Sequence, residues 1–467
     1  MSEEAQEPEE QQQPTEPSAS APEAGAQREA APGEKVSANT SEGTEATPGE
    51  SLNLKKKNAV DWLRTLASLG MFCGLSSSSV MWTNLGRTLP TCPLLDLSSG
   101  ALPSQISAFF SSPGGQMLSQ IIDPLFFGAA LVFSALLVFN KAISFSATGL
   151  FASLLFLIAG DLNRFQPWLY EYSIIIFFCL PFLSPKLSPI EQRASSLKLV
   201  AILLIAMYLF SGLEKLNWRF LTAIGPWLIG HPAEEAFSYA NDPGMILISL
   251  SMVVAEITMA LALAWKRTRL IGLAMALFMH ATILYLLGPS RLNTNAAVWP
   301  WNFTQMALLV VCFLNIPDSG LFRLNFKKIP LQSFTLIIVS LVVPALGLFQ
   351  IADPYPAFAL YTGDIPWGSL LVEKSTVDNL PTRTAAICEY DKKTGLWSLG
   401  MNDWAYQETG AALYSSNYCI RQVAERFASK HKGELVVLRI QTYPKWTREA
   451  RCIEEKISDR APAGNLP

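Results

Sequence analysis

The first 54 residues contain no aromatic residue and no aspartate, and only Arg28 and Lys35 stand against twelve glutamates. So little apolar surface cannot offset the entropy of ordering a chain. An acidic, disordered tail is therefore expected, ending at residue 57 after Lys55, Lys56 and Lys57. It has no cationic stretch followed by an apolar core, so no signal peptide is expected there. Charge is scarce in the rest of the chain as well. It makes up 16% of all residues, against about 25% in soluble domains. It is missing over the 21 residues between Arg269 and Arg291 and the 24 between Lys328 and Asp353. Soluble cores rarely produce one such run, whereas a membrane helix needs about 20 mostly apolar residues. The seven cysteines form no C-x-x-C pair and no metal-type spacing, so no metal site is expected. Internal repeats are also missing, and residues 352–467 show no glycine-rich phosphate loop and no nucleophile elbow. No nucleic-acid partner is expected, and no motif identifies a cofactor.

What is present is a series of apolar segments. They predict nine spans, at 64–84, 122–140, 142–160, 168–184, 199–216, 244–265, 270–288, 301–317 and 332–351. The stretch 86–120 reads as a loop with a surface helix. With the N-terminus in the cytoplasm, fourteen Lys and Arg fall near inner span ends and five near outer ones, as the positive-inside rule requires. Trp82, Trp168, Trp218, Trp227, Trp299 and Trp301 then form an outer aromatic belt. The chain is thus expected to be a multi-pass protein of the cell membrane, an all-α bundle over 58–351. Residues 352–467 change character and are expected to form a small extracytoplasmic α+β domain. Its strands are predicted at 367–374, 384–390 and 434–441, and its helices at 403–412 and 416–430, with Asn402 or Asp403 as an N-cap. Cys388, Cys419 and Cys452 fall in this domain, where an oxidising compartment permits a disulfide. Cys73, Cys92, Cys179 and Cys312 read as small buried hydrophobes.

An ionisable residue inside a membrane is costly and marks a functional candidate. Glu256 and His280 lie near the middles of spans six and seven, at similar depths, which makes a direct or water-mediated pairing plausible. That pairing serves either to tie two helices together or to build a polar site. Glu214 and Lys215 close span five. Lys215 either snorkels to the interface or points inward, sharing a helical face with Tyr208 and Ser211. A second cluster, Asp161, Asn163 and Arg164, ends span three as an interfacial loop or as the rim of a pocket that also takes Lys215. The third, Asn293-Thr294-Asn295 to Trp299-Pro300-Trp301-Asn302, reads as turn and belt rather than ligand site.

Taken in order, these residues resemble the membrane domain shared by vitamin K-dependent γ-carboxylase and its mostly bacterial relatives, the horizontally transferred transmembrane (HTTM) domain family. The matching points are Asp161-x-Asn163-Arg164, Tyr208-x-x-x-Gly212-x-x-Lys215-Leu216, Glu256, the Met279-His280 pair and the Asn/Trp-rich turn to Trp301. They cover roughly residues 60–320, and the 165–173 and 212–218 stretches are nearer to bacterial members. The resemblance implies that Lys215 matches the base that deprotonates vitamin K hydroquinone. In the carboxylase a lysine precedes that base, and here the position is Glu214. Residues 141–160 hold no histidine, although the carboxylase has one upstream of its Asp-x-Asn-Arg. The carboxylase's large lumenal domain gives way to a shorter tail. γ-Carboxylation is therefore not expected. The expectation is a polar outer-leaflet pocket for a lipid-like or quinone-like molecule, with Lys215 as general base and His280 and Glu256 orienting it or relaying protons. Asp161, Asn163, Arg164, Tyr208 and Glu214 are expected to complete the pocket. A non-catalytic scaffold whose outer domain binds a protein is the alternative. Nothing suggests a transporter, since the charges do not recur in inverted halves.

Overall fold

The computed structural model describes residues 48–84, 86–94, 113–180, 187–229, 242–289, 291–293, 295–317, 320–322, 324, 328–447 and 449–457. The acidic tail as far as residue 47, and the surface helix expected within 86–120 insofar as it falls on 95–112, lie outside them. Each expected apolar segment falls on a helix over most of its described residues. Helix α1 spans Pro48–Ser77 and α2 Ser79–Thr83. Then come α3 (Pro113–Val138), α4 (Ile143–Gly160), α5 (Pro167–Phe178) and α6 (Pro189–Glu214). After a short α7 (Gly225–Leu228) follow α8 (Pro243–Ala264), α9 (Arg269–Leu287), α10 (Val298–Asn315) and α11 (Leu331–Gly347). Five of these, α3, α4, α6, α8 and α9, are long and apolar enough to cross a membrane. The apolar helix α11 is shorter, and α5 has only 12 residues.

Local chemistry sets the boundaries. Helix α1 starts N-terminal to the expected boundary at residue 57, and Lys55–Lys57 are good helix formers. The serine run ends it. Ser78 Oγ turns back onto the Gly74 carbonyl at 2.7 Å and accepts the Trp82 indole N–H at 2.9 Å, an alternative to the helical ladder. At the start of α6, Ser188 and Glu191 form a reciprocal capping box, with Pro189 in the first turn. Helix α6 is the hub. Of its most apolar window 72% is buried, against 22–33% for the other four long apolar helices. It packs against α1, α8, α10 and α11, while α1 also packs against α3, α5 and α10.

The C-terminal portion builds one five-stranded antiparallel sheet, in the order β2-β3-β1-β4-β5. The strands are β1 (Trp367–Val372), β2 (Cys388–Asp391), β3 (Leu396–Gly400), β4 (Val436–Thr442) and β5 (Arg451–Lys456). Two helical turns, α12 (Lys374–Asp378) and α13 (Thr382–Ala385), connect β1 to β2. Helices α14 (Met401–Thr409) and α15 (Asn417–Lys430) cover one face. Val436, Leu438 and Ile440 alternate inward on β4. They meet Ile420, Val423, Ala424 and Phe427, the apolar stripe of α15, in one core. Two expectations are corrected here. The 384–390 segment is half helical turn and half β2. The cap of α14 is Gly400, and Asp403 instead occupies its first turn. All seven cysteines are unbridged.

Pro48–Pro467 form one compact unit, within which the helices and the sheet meet along a seam. The seam is polar and buried. Glu408 of α14 accepts the Thr88 and Leu89 backbone N–H groups at 2.8 and 2.7 Å. Asn163 Oδ1 accepts the Tyr414 N–H at 3.1 Å. Lys445 pairs with Glu214, and its carbonyl accepts the Trp218 N–H at 2.9 Å.

Candidate functional site

At Gly212 the helices α6 and α8 come so close that an added Cβ would stand 2.8 Å from Ile257 Cγ1 and 3.3 Å from the Ile257 nitrogen. This approach lets Glu256 reach Lys215. The Lys215 Nζ donates to Glu256 Oε2 at 2.8 Å, to Ser211 Oγ at 2.6 Å and to the Ser211 carbonyl at 3.3 Å. An ammonium has three N–H donors, and each finds an acceptor. The side chains of Lys215 and Glu256 are 12% and 11% exposed. Lys215 therefore turns into the protein, toward Glu256.

Two helical turns earlier on α6, Tyr208 Oη lies 2.6 Å from His280 Nε2, and His280 Nδ1 lies 2.7 Å from Asn302 Oδ1. Asn302 Nδ2 donates to the Val298 carbonyl at 2.8 Å, which fixes the amide's orientation and leaves Oδ1 as acceptor. In the neutral ring the proton thus sits on Nδ1, and Tyr208 donates to Nε2. The result is a directed chain, Tyr208 to His280 to Asn302. Glu256 and His280 are not hydrogen-bonded to each other directly. Glu256 takes Lys215, and His280 takes Tyr208 and Asn302.

Both groups open into one cavity of about 350 Å³, within the usual size range of small-molecule sites. Its wall is chiefly apolar and includes Met207, Met252, Met259, Met275 and Met279. Methionine side chains adapt to irregular ligands. Phe358, Leu360 and Tyr361, which follow α11, close one side. Phe358 and Tyr361 have φ of 60° and 56°, a strained region for aromatic residues. Tyr361 is held there by the Asn295 amide, which donates to its hydroxyl at 2.8 Å.

Of the sequence-derived candidates, Lys215, Glu256, His280 and Tyr208 converge on this cavity. Asp161, Asn163, Arg164 and Glu214 do not line it. Glu214 turns to the opposite side of α6, toward Lys445. Asp161 accepts Arg87 Nη1 at 2.6 Å, the Cys92 N–H at 2.9 Å and Asn163 Nδ2 at 2.9 Å. Arg164 pairs with Asp123 at 2.5 Å and donates to the Leu157 and Met81 carbonyls. Burial raises the Asp161 carboxyl, but the charges of Arg87 and Arg164 and the Cys92 N–H outweigh it and hold it below the ordinary aspartate range. This cluster is a joint, not a rim. Within the third cluster, Trp301 and Asn302 line the cavity after all, while Thr294 is outside the described residues. Behind Trp301 lies a carboxylate the sequence did not single out. Glu171 is fully buried and accepts Trp301 Nε1 at 2.7 Å and Gln305 Nε2 at 2.6 Å. Among the described residues no group of His, Cys, Asp and Glu side chains could hold a metal ion. No family model, no curated protein and no solved structure matches the chain.

Proposed function

We propose that this is an integral membrane protein of the HTTM type that binds an amphipathic, lipid-like or quinone-like molecule and takes a proton from it. The observation that carries this reading is one apolar cavity holding both the Lys215–Glu256 pair and the Tyr208–His280–Asn302 chain. An amphipathic ligand offers a hydrophobic body to the methionine walls and a hydroxyl or carbonyl to the polar end. When it displaces water, the charged pair loses solvation. Shifting the shared proton along the 2.8 Å bond from Lys215 to Glu256 leaves a neutral amine. That amine is the general base. Tyr208 donates a hydrogen bond to His280 and so presents its oxygen as an acceptor. In this reading all nine apolar helices cross the bilayer, the N-terminus is cytoplasmic, the C-terminal sheet is outside, and the cavity lies toward the outer leaflet. The charge split supports that orientation. A phosphatase fused after residue 352 is expected to be active, and an inactive fusion would reverse it.

The binding test is tryptophan quenching by a short-chain quinone, since Trp301 lines the cavity. Wild type is expected to show saturable quenching. Lys215→Met is expected to weaken it roughly tenfold, the loss of one charge-assisted contact. Quenching that does not saturate, or is unchanged by the substitution, rejects the reading. A second reading, a scaffold for a protein partner, draws on Trp446, 77% exposed on the C-terminal portion.

A further inference from the structure

Two of the unbridged cysteines stand together at the seam. Cys92 lies in the loop after α2, and Cys419 in the first turn of α15. Both are fully buried, in one cluster with Tyr355 and Tyr414. The Cys92 sulfur is within hydrogen-bond reach of the Cys419 thiol.

Their neighbours fix this approach from two sides. On one side Tyr418 Oη donates to the Pro93 carbonyl at 2.8 Å, so the residue before Cys419 holds the residue after Cys92. On the other side Asp161 Oδ1 accepts the Cys92 N–H and Asn163 Nδ2, both at 2.9 Å. Asn163 Oδ1 then accepts the Cys419 thiol at 3.5 Å. The other two thiols of the C-terminal portion are placed differently. Cys388 donates to the Thr384 carbonyl at 3.5 Å, and Cys452 is exposed on β5 opposite Gln441.

We propose that Cys92 and Cys419 form a disulfide as the chain folds, and that this bond staples the loop after α2 to α15. The structure holds the dithiol form of the pair. The proposal rests on the outward orientation of the C-terminal portion, where the compartment is oxidising. The oxidant is a disulfide of that compartment. One cysteine loses its proton, and its thiolate attacks a sulfur of the oxidant. A mixed disulfide forms and one oxidant thiolate leaves. The second cysteine thiolate attacks the protein sulfur of the mixed disulfide. The Cys92–Cys419 bond forms and the other oxidant thiolate leaves. The two cysteines lose two protons and two electrons, and the oxidant takes them up as two thiols.

Burial pushes the Cys419 thiol well above the ordinary cysteine range, and Cys92 beside it adds to the shift. A buried thiol of this kind is unreactive, so the exchange precedes closure of the seam. The finished bond is then shielded from reductants. It crosses the same seam as Glu408, which accepts the Thr88 and Leu89 N–H groups. A link between segments so far apart in the chain restricts the unfolded state strongly.

The test uses the full chain, extracted from cell membranes and denatured in one alkylating tag. It is then reduced, treated with a second tag and mapped by peptide mass spectrometry. Cys92 and Cys419 are expected to carry the second tag to equal extents. In Cys92→Ser, Cys419 is expected to carry the first tag, a reading on denatured chain that does not require the variant to fold. The first tag on both cysteines of wild type overturns the proposal. The second tag persisting on Cys419 in Cys92→Ser overturns the pairing as well. The phosphatase fusion in the same cells separates the two readings. Free thiols with an active fusion overturn the disulfide alone, and free thiols with an inactive fusion overturn the orientation with it.

Discussion

Replacing Arg164 with methionine is expected to remove about 3–5 kcal/mol of stability, the range for breaking a buried ion pair from one side. Arg164 is fully buried. The substitution leaves the Asp123 carboxylate without its cation. It also strips a donor from each of two carbonyls, Leu157 and Met81. Methionine fills comparable volume, so the loss reads the charge and hydrogen bonds rather than a cavity. The expected result in mild detergent is a melting temperature lower by many degrees, partly restored by Asp123→Asn. A change of only a degree or two would show that the cluster is not the joint that fixes α3 and α4 to the loop before them.

The second large effect is expected at the seam between helices and sheet. Lys445 is 8% exposed and lies between Glu214, 1% exposed, and Asp364, whose carboxylate is 3.7 Å away. Burial raises the Asp364 carboxyl despite the lysine and the Thr362 hydroxyl. Lys445→Met leaves two buried carboxylates side by side with no cation. A loss of about 3–5 kcal/mol is again the scale, and limited proteolysis is expected to free the C-terminal portion from the helices. Glu214→Gln in the same chain is expected to recover part of the loss, the mark of a direct pair in a double-mutant cycle. Additive effects of the two substitutions would mean that the pair is not coupled.

Much of this was legible in the sequence, for a physical reason. Apolar segments with little charge locate the apolar helices, and the cost of burying Glu256, His280 and Lys215 marked them as partners of something. Which partner each takes depends on helix rotation and separation. The Gly212 contact turns Glu256 toward Lys215, and Asn302 claims His280. Neither follows from depth along a span. Asp123 went unnoticed although Arg164 needed an anion, because it lies 41 residues away at the start of an apolar run. Lys445 has no local signal in Tyr443-Pro444-Lys445-Trp446. Only the unpaired Glu214 hinted that a cation had to come from elsewhere in the chain. Strand β5, with the exposed sequence Arg451-Cys452-Ile453-Glu454-Glu455-Lys456, lacks an alternating apolar face, because its backbone pairing with β4 rather than core packing holds it.

The most direct measurement is native mass spectrometry of the chain purified in mild detergent, compared with Ile283→Trp. Ile283 lines the apolar cavity, and an indole in its place fills much of that space. Wild type is expected to carry a stoichiometric amphipathic molecule of lipid or quinone type, and the filled variant to lack it while still folding. An empty cavity in wild type, or the same molecule at the same occupancy in Ile283→Trp, would contradict a ligand site between α6, α8 and α9.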